Sequence, residues 1–95
     1  MAILVHAVLD GVGTDQYDAL NAELQTTPEI FDGCLAHACV GTDDGLEIFD
    51  LWASEEQMNA FVEKMMPVAA GLGWRDRSRP RVLAVHHHWV PGADG

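Results

Sequence analysis

The sequence predicts a single α+β domain in which a four-stranded antiparallel sheet carries two amphipathic helices on one face. Three observations lead there. Short apolar runs of strand length are punctuated by Asp-Gly turn signals at residues 10–11, 32–33 and 44–45. Two longer segments, starting near Thr14 and Ser54, space their apolar residues at helical intervals. The 95 residues are 48% hydrophobic, with three tryptophans and three phenylalanines, which is too apolar for disorder and enough for one packed core over residues 1–95.

The elements follow in order. "AILVHAVL", residues 2–9, reads as a first strand closed by "DGVG". "TDQYDALNAELQ" then places Tyr17, Leu20 and Leu24 on one helical stripe, with Asp15 and Asp18 in the first turn, where carboxylates favour the helix dipole. "TTPEIFDG" ends that helix and launches "CLAHACVGT"; a "DDG" turn links it to "LEIFDLWA", and the two runs read as a hairpin. In "SEEQMNAFVEKMM", Ser54 and Gln57 have capping-box spacing and Met58, Phe61, Val62 and Met65 form a stripe. Pro67 is expected to interrupt or kink this second helix, with about one more turn before the glycines. The final strand is expected to be the histidine segment "VLAVHHHWV", residues 82–90, on which His86 and His88 share a face and His87 looks the other way.

Strand, helix, strand, strand, helix, strand is the ferredoxin-like βαββαβ order. Pairing in the order 4-1-3-2 makes the first and third strands central. Both faces of the first strand are apolar, yet two helices cover only one face of the sheet; a second copy of the sheet, packed about a twofold axis, is the expected cover for the other. The chain is therefore expected to be a homodimer.

Fifteen acidic residues against five basic ones give a formal charge of −10, which repels a phosphate backbone and argues against nucleic acid as a partner. Four of the five bases, Arg75, Arg77, Arg79 and Arg81, cluster in "RDRSRPR", which reads first as a solvated loop. The N-terminus lacks the pattern of a signal peptide, and no stretch is long enough to span a membrane. Cys34 and Cys39, five apart on one strand, are expected on opposite faces and unable to bridge; reduced thiols and a cytoplasmic location are the expectation.

The segment "FDLWASEEQMNAFVEKMMPVA", residues 49–69, resembles the dimeric α/β barrel superfamily, in particular the small antibiotic-biosynthesis monooxygenase-like (ABM) proteins. Its strand ends in Asp-x-Trp and is followed by a capped Ser-Glu-Glu helix with an aromatic residue and a closing proline. The opening "AILVHAVLDGVGTDQYDALN" is similar but less diagnostic, and the likeness covers nearly the whole chain. It implies a ligand cleft between helices and sheet, with Trp52, Asp50 and Ile48 along it. The superfamily includes quinol and anthrone monooxygenases that use neither metal nor flavin, polyketide cyclases, lactone isomerases and heme-degrading oxygenases, so the fold alone fixes no chemistry. Heme is disfavoured by the resemblance itself, because the heme-degrading relatives carry an iron-ligating histidine near the end of the second helix and residues 58–70 contain none.

Five histidines in the chain supply side chains suited to proton transfer near neutral pH. His6, His86 and His88 are the candidate bases, and Asp50, which interrupts the apolar run "EIFDLW", is the candidate partner, with His6 on the neighbouring strand if the two share a face. A zinc-type site from His6, His86 and His88 is conceivable but lacks supporting ligand spacing, so neither metal nor organic cofactor is expected. His37 and Cys39 share a face without a third group to make a nucleophile pair. Tyr17, His37, Ile48, Trp52, Phe61 and Met65 are the candidates for substrate contact, and Met58 and Trp74 are core residues that could extend the same apolar wall.

These features lead to an enzyme that removes a proton from a small, hydrophobic, aromatic or polyketide-like substrate and then oxygenates it. A cyclase or isomerase using the same acid/base site is the first alternative. A noncatalytic ligand-binding or stress-response barrel, with no polar group at the base of its cleft, is the second.

Overall fold

The computed structural model describes residues 1–74, 80–89 and 91. Its elements are β1 (Ile3–Asp10), α1 (Thr14–Leu24), a short 3₁₀ turn (Pro28–Phe31), β2 (Cys34–Gly41), β3 (Gly45–Trp52), α2 (Glu55–Gly71) and β4 (Arg81–Ala84). The four strands form one antiparallel sheet in the order β2-β3-β1-β4, with β1 and β3 central as expected.

The hairpin turn between β2 and β3 is closed by Thr42 N–H donating to the Gly45 carbonyl at 2.8 Å. Gly45 is required there: a Cβ would lie 2.2 Å from the Leu9 carbonyl oxygen, where the hairpin crosses the end of β1. Ser54 caps α2 by accepting from the Gln57 backbone N–H at 3.2 Å, a bond worth about 1 kcal/mol. The helix then runs through Pro67 to Gly71. Losing a backbone donor inside a helix costs about 3 kcal/mol. Burial of Ala69 and packing of Val68 in the turn beyond it offset that cost.

Alternation along the strands sorts the side chains onto two faces. Ile3, Val5, Ala7 and Leu9 on β1 pair with Trp52, Asp50, Ile48 and Leu46 on β3, and this set faces the helices. Leu4, His6 and Val8 pair with Leu51, Phe49 and Glu47 on the opposite, open face. Two clusters make the core between sheet and helices. Ile3, Val5 and Trp52 pack with Met58 at one end, and Leu20, Leu24 and Ala69 pack with Met65 and Trp74 at the other. Phe61 belongs to both.

Two expectations are corrected. The fourth strand takes only the start of the histidine segment and none of its histidines: β4 ends at Ala84, opposite Ile3, and Val85 N–H donates to the Ala2 carbonyl just beyond it. An antiparallel partner runs out where β1 begins, so apolar composition carries the strand no further. Cys34 and Cys39 do not lie on opposite faces either. A register shift between Cys34 and Ala36 sets Cys34 opposite Trp52 and Cys39 opposite Ile48, both facing the helices. One extra residue in a strand flips every side chain beyond it. Both thiols are free. Of the arginine cluster, Arg75, Arg77 and Arg79 lie outside the described residues, and Arg81 opens β4.

Candidate functional site

Asp50 sits near the middle of β3, a central strand, on the face covered by the helices. A carboxylate there needs a partner, because burial beside apolar groups penalises its charge. Its neighbour across the hairpin is His37, and His37 Nδ1 is hydrogen-bonded to Asp50 Oδ1. The other ring nitrogen, Nε2, meets the Tyr17 hydroxyl from α1 at 2.5 Å, and the two rings are nearly parallel, 4° apart. In the neutral ring, Nδ1–H donates to the carboxylate, so Nε2 holds the lone pair and accepts from the phenol.

These three groups border a partly open cavity of about 490 Å³ between helices and sheet. Its walls are apolar and aromatic, with Phe61 and Met65 of α2 opposite Val5, Ala7, Ile48 and Trp52 of the sheet. Trp52 is almost fully buried and packs on Phe61 with ring centroids 5.2 Å apart. Trp74 also lines the space, and its buried indole N–H has no hydrogen-bond partner among the described residues. An apolar cavity with a few convergent polar groups is the form a small-molecule site takes.

The environment tunes the three groups in physically distinct ways. The hydrogen bond to Asp50 holds the His37 imidazole above its ordinary value of 6.5, against burial acting the other way. Burial raises the Tyr17 phenol, helped by the negative charge of Asp50 and Asp18, so it remains a hydroxyl. Burial likewise raises the Cys34 and Cys39 thiols, which disfavours thiolates.

Of the candidates read from the sequence, Asp50, Tyr17, His37, Ile48, Trp52, Phe61 and Met65 all border this cavity. The three other candidate histidines do not. His6 points to the open face, stacked on Phe49 at 4.6 Å, with Nε2–H donating to Glu47 at 2.7 Å. The expected His6–Asp50 pair cannot form, because Val5, not His6, is the residue of β1 opposite Asp50, and neighbours on a strand point to opposite faces. His86 and His88 lie beyond β4, and His88 borders a shallow apolar depression on the open face beside His87. With the strand ended, the expected alternation of the three histidines is lost. Among the described residues, no three His, Cys, Asp or Glu side chains converge to hold a metal ion, so His6, His86 and His88 do not form one site.

The His37–Asp50 pair is the feature that sequence reasoning missed. Counting outward from the Thr42–Gly45 turn pairs Gly41 with Leu46 and, four steps on, His37 with Asp50. Tyr17 carries no comparable signal, since only the packing of α1 on the sheet brings it there.

No family model matches the sequence, and no curated protein does. Solved structures do match. Rv0793 from Mycobacterium tuberculosis is similar with a TM-score of 0.63 and 23% identity, over 93% of this chain and 98% of its own. SnoaB from Streptomyces nogalater, described as a cofactor-independent oxygenase, matches with a TM-score of 0.62 and 13% identity, over 92% of this chain and 94% of its own. A candidate antibiotic biosynthesis monooxygenase from Nitrosomonas europaea matches at 0.57 and 10% identity, over 92% of this chain and all of its own. The chain thus shares the fold of the ABM-like proteins that its sequence resembles.

The Asp50–His37 bond makes stability depend on pH in a definite sense. A histidine whose pKa is raised on folding stabilises the folded state below its unfolded value, and that contribution disappears as pH rises through the folded value. Urea midpoints of wild type and Asp50→Asn should therefore differ most near pH 6 and converge as pH rises above the folded His37 value. A difference that grows with pH across that range would contradict the pairing.

Proposed function

We propose that the protein is a cofactor-independent oxygenase of small aromatic or polyketide-like molecules, in which His37 takes a proton from the substrate and Asp50 holds the ring for that task. The observation that carries this is a histidine engaged by a carboxylate at Nδ1, with Nε2 directed toward Tyr17 at the wall of an apolar, aromatic cavity. Asp50 fixes the tautomer and stabilises the imidazolium that forms, and the apolar wall takes up the substrate's rings. Removing a proton from a quinol- or anthrone-type substrate leaves an electron-rich anion able to react with dioxygen. SnoaB's description as a cofactor-independent oxygenase favours that outcome here.

His37 thus takes the place expected of His6, His86 and His88. Trp52, Phe61, Met65 and Ile48 shape the pocket, and the Trp74 indole N–H is a donor that a substrate oxygen would satisfy. A noncatalytic barrel gives no reason for a tuned histidine–carboxylate pair at the cavity wall. The free thiols of Cys34 and Cys39 accord with a reducing, cytoplasmic setting, and no helix among the described residues is long and apolar enough to cross a membrane.

The functional unit in this reading is a homodimer joined through the open face. Val8, Val40, Phe49 and Leu83 are each more than a third exposed there, on a largely apolar surface, interrupted by the His6–Glu47 pair, that a second sheet would cover.

Two outcomes follow. With a dihydroxynaphthalene or anthrone as substrate, His37→Gln should lower turnover by about 10²- to 10⁴-fold while His6→Gln leaves it nearly unchanged. An oxygen electrode should register uptake matching product. Wild-type activity in His37→Gln would remove the proposed base, and turnover without oxygen uptake would make the enzyme a cyclase or isomerase. Separately, Phe49→Glu should convert a dimer to a monomer in sedimentation. A wild-type protein that is monomeric at micromolar concentration would refute the open-face interface.

A further inference from the structure

In the free protein both nitrogens of His37 are occupied, Nδ1 by Asp50 and Nε2 by the Tyr17 hydroxyl. A substrate therefore finds no free imidazole nitrogen. What the cavity offers is the Tyr17 oxygen, which keeps acceptor capacity after donating its proton toward Nε2. We propose that Tyr17 is a catalytic residue, the atom that touches the substrate's acidic hydroxyl and passes its proton to His37.

This rests on His37 being the base, and it adds the route and the class of group recognised: a phenolic or enolic O–H. As the substrate O–H bond breaks, its proton joins Tyr17 Oη while the proton already on Tyr17 joins His37 Nε2. The electron pair stays on the substrate oxygen as an anion. The positive charge gained by the imidazole lies against the Asp50 carboxylate. Nothing is oxidised in this step and no co-reactant is consumed.

Displacement of Tyr17 by the substrate is the competing route, and the packing disfavours it. Tyr17 lies on α1 one turn before the buried Leu20 and two before Leu24, both anchored in the core with Ala69. Its own N–H is held by the Gly13 carbonyl at 3.1 Å, and its ring lies parallel to the imidazole. The phenol's raised pKa keeps the proton needed for the first transfer on the oxygen. Tyr17 is also the chain's single tyrosine, so a label placed on tyrosine reports this position alone.

The test uses 4-nitrophenol, whose ionisation is visible in its absorbance, bound to full-length wild type, Tyr17→Phe and His37→Gln across pH. Wild type should ionise the bound phenol at lower pH than in free solution. Tyr17→Phe should bind it with similar affinity but leave its ionisation constant at least about tenfold weaker than in wild type. Replacing the tyrosine with 3-fluorotyrosine, which retains the fold and acidifies the phenol, should shift the bound probe's titration and move the single fluorine resonance on binding. Equal ionisation in wild type and Tyr17→Phe, or a titration indifferent to fluorination, would overturn the relay while leaving His37 as a direct base. Wild-type ionisation in His37→Gln would instead remove the base itself. No saturable uptake of the phenol by wild type would defeat both.

Discussion

A carboxylate on the covered face of a central strand is the constraint from which the site follows. Asp50 interrupts an otherwise apolar wall, and the fold answers it with His37, one strand across, which in turn engages Tyr17 from the helix above. The chain of contacts ties β3 to β2 and then to α1, linking the sheet to its cover through polar groups where the rest of that layer is linked by hydrophobic packing. Its chemical result is an imidazole whose proton affinity is raised by a carboxylate within an apolar chamber.

That chamber explains how the core is arranged. Burial is concentrated in two clusters bridged by Phe61, and the space between helices and sheet is left as a cavity rather than filled. Unfilled apolar volume weakens a small domain, because the residues lining it lose packing partners. A ligand supplies those partners. On the other side of the sheet, Phe49, Val8 and Leu83 present a second apolar surface, which a neighbouring sheet would bury. A 95-residue chain thus divides its hydrophobic residues among a core, a pocket and an outer face.

Much of the architecture was legible because periodicity reports local structure directly. The stripe Tyr17, Leu20, Leu24 identified α1, and the Ser54–Gln57 spacing marked the start of α2. What stayed hidden depended on contacts distant in sequence. His6 and Asp50 lie on adjacent strands joined through a helix and a hairpin, so no local count sets their register, and a shift of one residue decides whether they meet. The extra residue between Cys34 and Ala36 is equally silent in the sequence, yet it brings Cys34 to the helix-covered face. The length of β4 is overread in the sequence because apolar, β-prone residues flank the histidines of "VLAVHHHWV" on both sides, whereas the strand is limited by where its partner begins. By contrast, the His37–Asp50 pairing was recoverable from the hairpin turn, whose register is local.

In the proposed function His37 is a carboxylate-oriented base poised toward Tyr17. Nitrogen-15 NMR of the histidine ring across pH tests it most directly, since the shifts of the two ring nitrogens report tautomer and ionisation together. Neutral His37 is expected to carry its proton on Nδ1 and to titrate above 6.5, with the upward displacement lost in Asp50→Asn. A His37 that carries its neutral proton on Nε2, or that titrates identically with and without the Asp50 carboxylate, would contradict it.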